Sequence, residues 1–241
     1  MIYYAKTHKG NVRKLNEDAV YIPEDSIGFF AILADGMGGH NAGDVASSLV
    51  VNTVKAFLND IDPACINEGS VRDALCHANT LIWNESCANK NRNGMGSTAT
   101  VAVFAGSCVY IGQVGDSRAY LLRNGALTQI TKDHSYVQLL IDRGFITQDD
   151  AARHPQRNII TRAVGTECDV EVDTFIVELN EKDVILLCSD GLNNAVSDED
   201  IAKLLSDDLS VAPERLIQAA LDNGGTDNIS VIIAALDGGA Q

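Results

Sequence analysis

The sequence predicts an α+β fold: a four-layer sandwich in which antiparallel sheets carry helices on their outer faces. Strand-like and helical stretches come in blocks along the 241 residues instead of alternating strictly. Two helical stretches follow an early strand and two more precede the last one, which suits a helical layer on each side. Between them, residues 97–131 are rich in β-branched and aromatic side chains, with turn signals at Ala105-Gly106, Gly115-Asp116 and Asn124-Gly125. That is the pattern of hairpin-connected strands.

In order, the apolar run at 27–35 reads as a strand. Residues 42–58 read as a helix with an apolar stripe through Val45, Leu49, Thr53 and Phe57. A second helix is expected from Ser70, as its N-cap, to about Lys90, with Ala74, Ala78, Leu81 and Ile82 facing inward. Residues 136–155 read as a more polar helical stretch broken at Gly144. Strands follow at 172–179 and 183–189, helices at 198–206 and 212–222, and a last strand at 228–236. No linker, repeat or low-complexity stretch interrupts the chain, so one domain is expected over 1–241.

Composition narrows the function. Eighteen basic against 33 acidic residues give a formal charge of -15, which argues against nucleic acid or an anionic membrane as partner. Anionic substrates would be repelled as well, unless local cations reverse the field at the site. No segment reaches the roughly 18 uninterrupted apolar residues of a membrane span, and the first residues lack an apolar signal core. A cytoplasmic protein is the expectation, with a monomer as the default. The six cysteines form no Cys-x-x-Cys pair, so neither zinc nor a disulfide framework is indicated, and they read as small buried hydrophobes.

The stretch "FFAILADGMGGHNAG" (29–43) ends an apolar run at Asp35 and then turns glycine-rich. Its spacing fits neither phosphate-cradling loop: the third glycine position of Gly-x-Gly-x-x-Gly falls on Asn41, and Asp44 follows Gly43 where a triphosphate loop has lysine. A cation is the better match. Asp35, Asp190 and Asp227 recur as "ADG", "SDG" and "TDN" after apolar or strand-like runs, and Glu17-Asp18 and Asp116 share that setting. An Asp before Gly or Asn can simply make a turn. Several strand-end carboxylates brought together would instead repel one another until a cation neutralised them, and all-oxygen ligation favours Mg²⁺ or Mn²⁺.

The motifs "RKLNEDA" (13–19), "ADGMGGHNAG" (34–43), "GMGSTA" (94–99), "VGDSRAYLLRNG" (114–125), "TKDHS" (131–135), "HPQRNIITRAVG" (154–165), "CSDGL" (188–192) and "GGTDNISVI" (224–232) together resemble the protein phosphatase 2C, or PPM, family in its compact bacterial form. The resemblance implies a sandwich with a Mn²⁺ or Mg²⁺ pair between the sheets, and metal-dependent hydrolysis of phosphoserine and phosphothreonine in proteins. Asp35 resembles the ligand bridging both ions, and Gly36 the one offering its backbone carbonyl. Asp190 and Asp227 resemble ligands of the first ion, Glu17 of the second, with Asp18 ligating or holding a metal-bound water. Asp116 with Asp190 resembles a weaker third site, and Arg13 the arginine that grips substrate phosphate. Two close divalent ions can share and acidify a water that attacks phosphorus in line. His40, or His154 in a flap at about 135–164, is a candidate to protonate the leaving group, and the flap a candidate to shape substrate choice. The partners implied are phosphorylated proteins, among them a bacterial Ser/Thr kinase and its substrates. The alternatives are a catalytically silent phosphoprotein-binding module and a phosphatase dedicated to one regulatory protein; pseudoenzymes lose metal carboxylates, and none is missing here.

Overall fold

The computed structural model describes residues 1–24, 28–37 and 42–236. The chain runs β1 (Ile2–His8), β2 (Asp18–Tyr21), β3 (Phe30–Met37), α1 (Gly43–Asn59), α2 (Glu68–Ala88), β4 (Gly96–Ser97), β5 (Ala99–Ala105), β6 (Cys108–Val114), β7 (Arg118–Arg123) and β8 (Ala126–Gln129). It continues through α3 (Tyr136–Asp142), α4 (Gln148–Ala152), β9 (Asp173–Glu178), β10 (Val184–Cys188), α5 (Asp190–Asn193), α6 (Asp198–Leu205), α7 (Ala212–Asp222) and β11 (Ile229–Ala235). One sheet has the order β1-β11-β10-β7-β8 and the other β2-β3-β5-β6-β9, with β4 added to β3. The paired strands are antiparallel throughout.

The two-residue period of a strand sorts the apolar side chains into three layers. In β3, Phe30, Ile32 and Ala34 face α1 and α2, packing with Val50, Val54, Leu75 and Ile82. Ala31 and Leu33 point the other way, into the layer between the sheets with Ile111, Ile185 and Ile232. Across that layer, Leu186, Val231 and Ile233 pack outward under α6 and α7 against Ile201, Leu216 and Ile217. Strands buried on both faces read as unbroken apolar runs, which is how 29–35 and 184–188 appear in the sequence. The expected four-layer sandwich of two antiparallel sheets is the fold observed.

Several local expectations need correction. The inward stripe of α1 is Ala46, Val50, Val54 and Leu58; Val45, Leu49 and Phe57 sit on its partly covered flank. Asn67, not Ser70, caps α2, and Ser70 closes a capping box from the third helical position. Leu81 is 45% exposed, while Ala74, Ala78 and Ile82 are buried as expected. Gly115-Asp116 is not a hairpin turn: β6 and β7 belong to different sheets, and the bend carries the chain from one to the other. Gly115 makes the bend at φ 107°, with Thr98 so close that an added Cβ would lie 2.6 Å from its side chain. Of the cysteines only Cys188 is buried; Cys65, Cys87 and Cys168 are exposed.

Candidate metal centre at one edge of the sandwich

Antiparallel pairing places the C-terminal ends of β3, β6 and β10 at the same edge as the N-terminal ends of β2, β7 and β11. Asp18 on β2 lies directly opposite Asp35 on β3. Cys188 at the end of β10 pairs with both Arg118 and Val231, so Asp190, Asp116 and Asp227 follow or precede neighbouring strand ends. Carboxylates from distant parts of the chain thus reach one place on rigid supports.

Like charges facing each other across a strand pair are unfavourable, and burial worsens this. Burial, then Asp18, Asp190, Asp116 and Asp227, pushes the Asp35 carboxyl well above the usual carboxylate range. Burial, then Asp116, Asp227 and Asp18, does the same to Asp190. Burial raises Asp18 to about 6, against hydrogen bonds from serines. Burial and Asp133 raise Asp116 to about 7. Asp18, Asp35 and Asp190 keep some surface exposure as residues, yet their carboxyls are enclosed by protein. Asp18 Oδ1 and Asp116 Oδ1 are fully buried without a hydrogen-bond partner among the described residues. The nearby Arg118 lowers the Asp116 pKa only in part, outweighed by burial and Asp133, and its guanidinium is bidentate to Asp133 at 2.7 and 2.9 Å and also reaches the Tyr120 hydroxyl. An oxygen-rich set with orphaned acceptors and surplus negative charge fits a hard divalent cation. Among the described residues no three His, Cys, Asp or Glu side chains form a ready-made cage, so backbone carbonyl and water oxygens would have to complete any coordination.

A backbone carbonyl is available. Gly36 and Gly43 approach so closely that a Cβ on Gly36 would lie 2.0 Å from Gly43 O. A Cβ on Gly43 would lie 2.9 Å from Gly36 O and 2.5 Å from Glu17 Oε1, so these two oxygens face the same point. Glu17 Oε accepts from the Gly43 N–H at the head of α1, and burial outweighs this in raising its pKa. Gly36 and Gly43 thus let β3, the head of α1 and Glu17 crowd together.

Residues in the quoted motifs that the sequence reading gave no role hold the carboxylates in place. Asn228 donates to Lys9 O and Leu15 O at 3.0 and 2.9 Å and accepts from Glu17 N at 2.8 Å, pinning the 9–17 segment to β11. Ser189 donates to Asp18 Oδ2 at 2.9 Å and accepts from Ser230 N. Thr98 Oγ1 accepts from Asp35 N, and Ser97 Oγ donates to Asp35 O, both at 2.9 Å. For Ser189 and Asn228 the signal in the sequence is a small polar residue at a strand end beside an acidic one, Asp190 and Asp227; Ser97 and Thr98 have no such neighbour.

Arg13 Nη2 donates to Asp227 Oδ2 at 2.8 Å from a half-exposed position at the rim. A cleft of about 570 Å³ opens there, lined by Arg13, Lys14, Glu17, Asp44, Asn91 and Arg92 among others. A second cleft, of about 460 Å³, runs beneath α3 and α4 and has Asp116 and Asp190 in its wall together with Arg157. His154 does not line either; its Nδ1 accepts from Gln156 N in a local turn and its ring packs near Tyr136. His40 lies outside the described residues.

Known proteins share this fold and much of this sequence. The protein phosphatase 2C profile matches residues 7–223. The serine/threonine protein phosphatase PstP of Mycobacterium tuberculosis is 43% identical over 233 residues, 96% of this chain and 44% of that protein, so the chain spans less than half of that relative's length. The serine/threonine phosphatase stp of Listeria monocytogenes is 40% identical over 239 residues, covering 96% of this chain and 94% of that one. A crystal structure of the M. tuberculosis PstP superposes with a TM-score of 0.91 at 42% identity, covering 98% of both chains. The PstP catalytic domain solved with two manganese ions gives 0.87 at 39% identity, covering 96% of both. With the profile spanning most of the sequence and both sheets superposing, the chain belongs to the protein phosphatase 2C family.

Proposed function

We propose that the protein is a metal-dependent phosphatase that removes phosphate from phosphoserine and phosphothreonine in proteins. The observation that carries this is the group of mutually repelling enclosed carboxylates with orphaned oxygens, set beside an arginine at the rim. Asp35, Asp190, Asp227, Asp18, Glu17 and the Gly36 carbonyl would hold two Mn²⁺ or Mg²⁺ ions, and Asp116 with Asp190 a weaker third. When bound, such ions supply an activated water and neutralise charge as phosphorus is attacked.

The chain's own groups do the rest. Arg13 can grip phosphate oxygens through its planar guanidinium, and Asp227 anchors it by accepting from Nη2. Asp18 is held by Ser189, and Asn228 keeps Glu17 against β11. The segment 135–164 would act as a flap: α3 and α4 roof the cleft that contains Asp116 and Asp190, and its far end is tied to Ser97 by Val164 at 2.8 and 3.0 Å. Phosphorylated Ser/Thr kinases and their targets are the proposed substrates, a role in reversing kinase signalling.

The test is phosphate release from a phosphothreonine peptide with Mn²⁺, with Mg²⁺ and with chelator, alongside Asp190→Asn. Turnover that needs metal and disappears in the variant is expected. Metal binding by calorimetry without release of phosphate from any phosphoester would overturn the reading in favour of a silent binding module.

A further inference from the structure

We infer that the cleft beside Arg13 selects substrates carrying a second anionic side chain two residues from the phosphorylated one, and that Lys14 and Arg92 receive it. This rests on the phosphatase reading above and adds a substrate class to it.

The chain carries a formal charge of -15 with only 18 lysines and arginines, yet Arg13, Lys14 and Arg92 all line one cleft. A phosphoprotein approaching an acidic enzyme needs a local reversal of the field, and a walled cleft concentrates such a field. The three cations are unequally engaged. Arg13 is held by Asp227. Lys14 is exposed and makes no ion pair among the described residues. Arg92 pairs with Glu85 of α2 at 2.5 Å, with both side chains more than a third exposed. A pair that exposed gives up little when an anionic ligand takes its place. Arg92 also sits on a fixed support: it ends a short 3₁₀ turn, Lys90–Arg92, whose first residues are tied by the Asn91 N–H donating to Asn89 Oδ1 at 3.0 Å.

Size agrees with charge. The cleft's volume of about 570 Å³ far exceeds that of one phosphate group. It corresponds to a span of roughly 8 Å, and alternate side chains on one face of an extended peptide stand about 6.5–7 Å apart. With the scissile phosphate at Arg13, a carboxylate or phosphate two positions along the peptide would stay within the cleft that Lys14 and Arg92 also line. The acidic side of the cleft, Glu17 and Asp44, belongs to the metal centre and the head of α1. Leu15, 67% exposed, and Val12, 66% exposed, flank the Arg13-Lys14 pair and offer apolar contact to the peptide's other side chains.

The experiment compares kcat/KM, with Mn²⁺, for phosphothreonine peptides that differ only at positions two before or two after the phosphoresidue. Those positions carry Asn, Asp or a second phosphothreonine, and the enzymes are wild type, Lys14→Gln, Arg92→Gln, the double variant and Arg92→Glu. The wild type is expected to favour the Asp or doubly phosphorylated peptide over the Asn peptide by about tenfold at low salt, less as salt rises. The double variant should bring that ratio to within about twofold, and Arg92→Glu should turn it against the acidic peptide. The Asp and phosphate arms show which anion is read. An equal wild-type rate on all peptides, or a preference that survives in the double variant, overturns the inference. Hydrolysis of p-nitrophenyl phosphate by the wild type tests the underlying reading separately: no turnover there sinks the phosphatase assignment, whereas turnover without peptide preference sinks only the selectivity.

Discussion

Replacing Asp116 by Asn should stabilise the metal-free protein at alkaline pH while weakening its response to metal. The Asp116 carboxyl is raised from 3.8 to about 7, chiefly by burial and then by Asp133, and one of its oxygens has no partner among the described residues. Between those two pH values the folded chain keeps a proton that the unfolded chain has lost, so stability falls as pH rises and levels off above about 7. At about 1.4 kcal/mol per pH unit, ionising Asp116 in the fold costs about 4 kcal/mol at pH 8. At pH 5 the same calculation leaves between about 1 and 2 kcal/mol. Asn has no charge to bury, so urea denaturation with EDTA should show Asp116→Asn more stable than wild type by up to about 4 kcal/mol at pH 8, with the gain shrinking toward pH 5. Added Mn²⁺ should narrow or reverse the gap by stabilising the wild type more. A variant no more stable than wild type at pH 8, or equally stabilised at both pH values, would refute the account of the centre as a store of unneutralised charge.

Other changes test separate parts of the site. Arg13→Ala should lower kcat/KM for a phosphothreonine peptide by about 10- to 100-fold, the worth of a charge-assisted hydrogen bond, with Arg13→Lys recovering part of it; steady-state kinetics decide. Asn228→Ala strips Lys9 O, Leu15 O and Glu17 N of their partner, a loss of about 2–4 kcal/mol that thermal melting should register as a Tm lower by roughly 5–15 °C. An unchanged Tm would show that water replaces the amide freely. Gly36→Ala would drive a methyl to 2.0 Å from Gly43 O and force β3 away from α1. Calorimetry should then find Mn²⁺ binding weakened at least tenfold, and affinity within twofold of wild type would mean that the Gly36–Gly43 approach is irrelevant to the ion.

The layer order was legible because strands buried on both faces leave unbroken apolar runs, and the acidic residues were legible because each is followed by Gly or Asn or sits at a strand end. What failed to show depends on partners far along the chain. Gly115-Asp116 has the chemistry of a hairpin turn, and only the pairing of Cys188 with Arg118 reveals that β7 has joined the other sheet. The stripe of α1 was displaced because its apolar residues cover both a buried face and a half-covered flank, and one sequence cannot say which faces β3. Leu81 lies on the outer side of α2 despite its apolar side chain, since Ala78 and Ile82 already fill the contact. Asn228 and Ser189 were hidden for a different reason. Their value lies in hydrogen bonds to residues on the order of 200 positions away, and a small polar side chain carries no mark of so distant a partner.

Strand β1 pairs with β11 along its whole length, and Asn228 fastens the 9–17 segment to the start of β11. The order of synthesis therefore matters to the centre. A nascent chain that has emerged only through α7 has Arg13, Glu17, Asp18, Asp35 and Asp190 outside the ribosome, but no Asp227 and no strand to seat β1. Its carboxylates cannot be gathered, and the open edges of β1 and β10 are free to pair elsewhere. The centre is in this sense self-timed: the last strand that closes the sheet also completes the carboxylate set, so a chain arrested at Asp222 should bind Mn²⁺ far more weakly than one carried through β11.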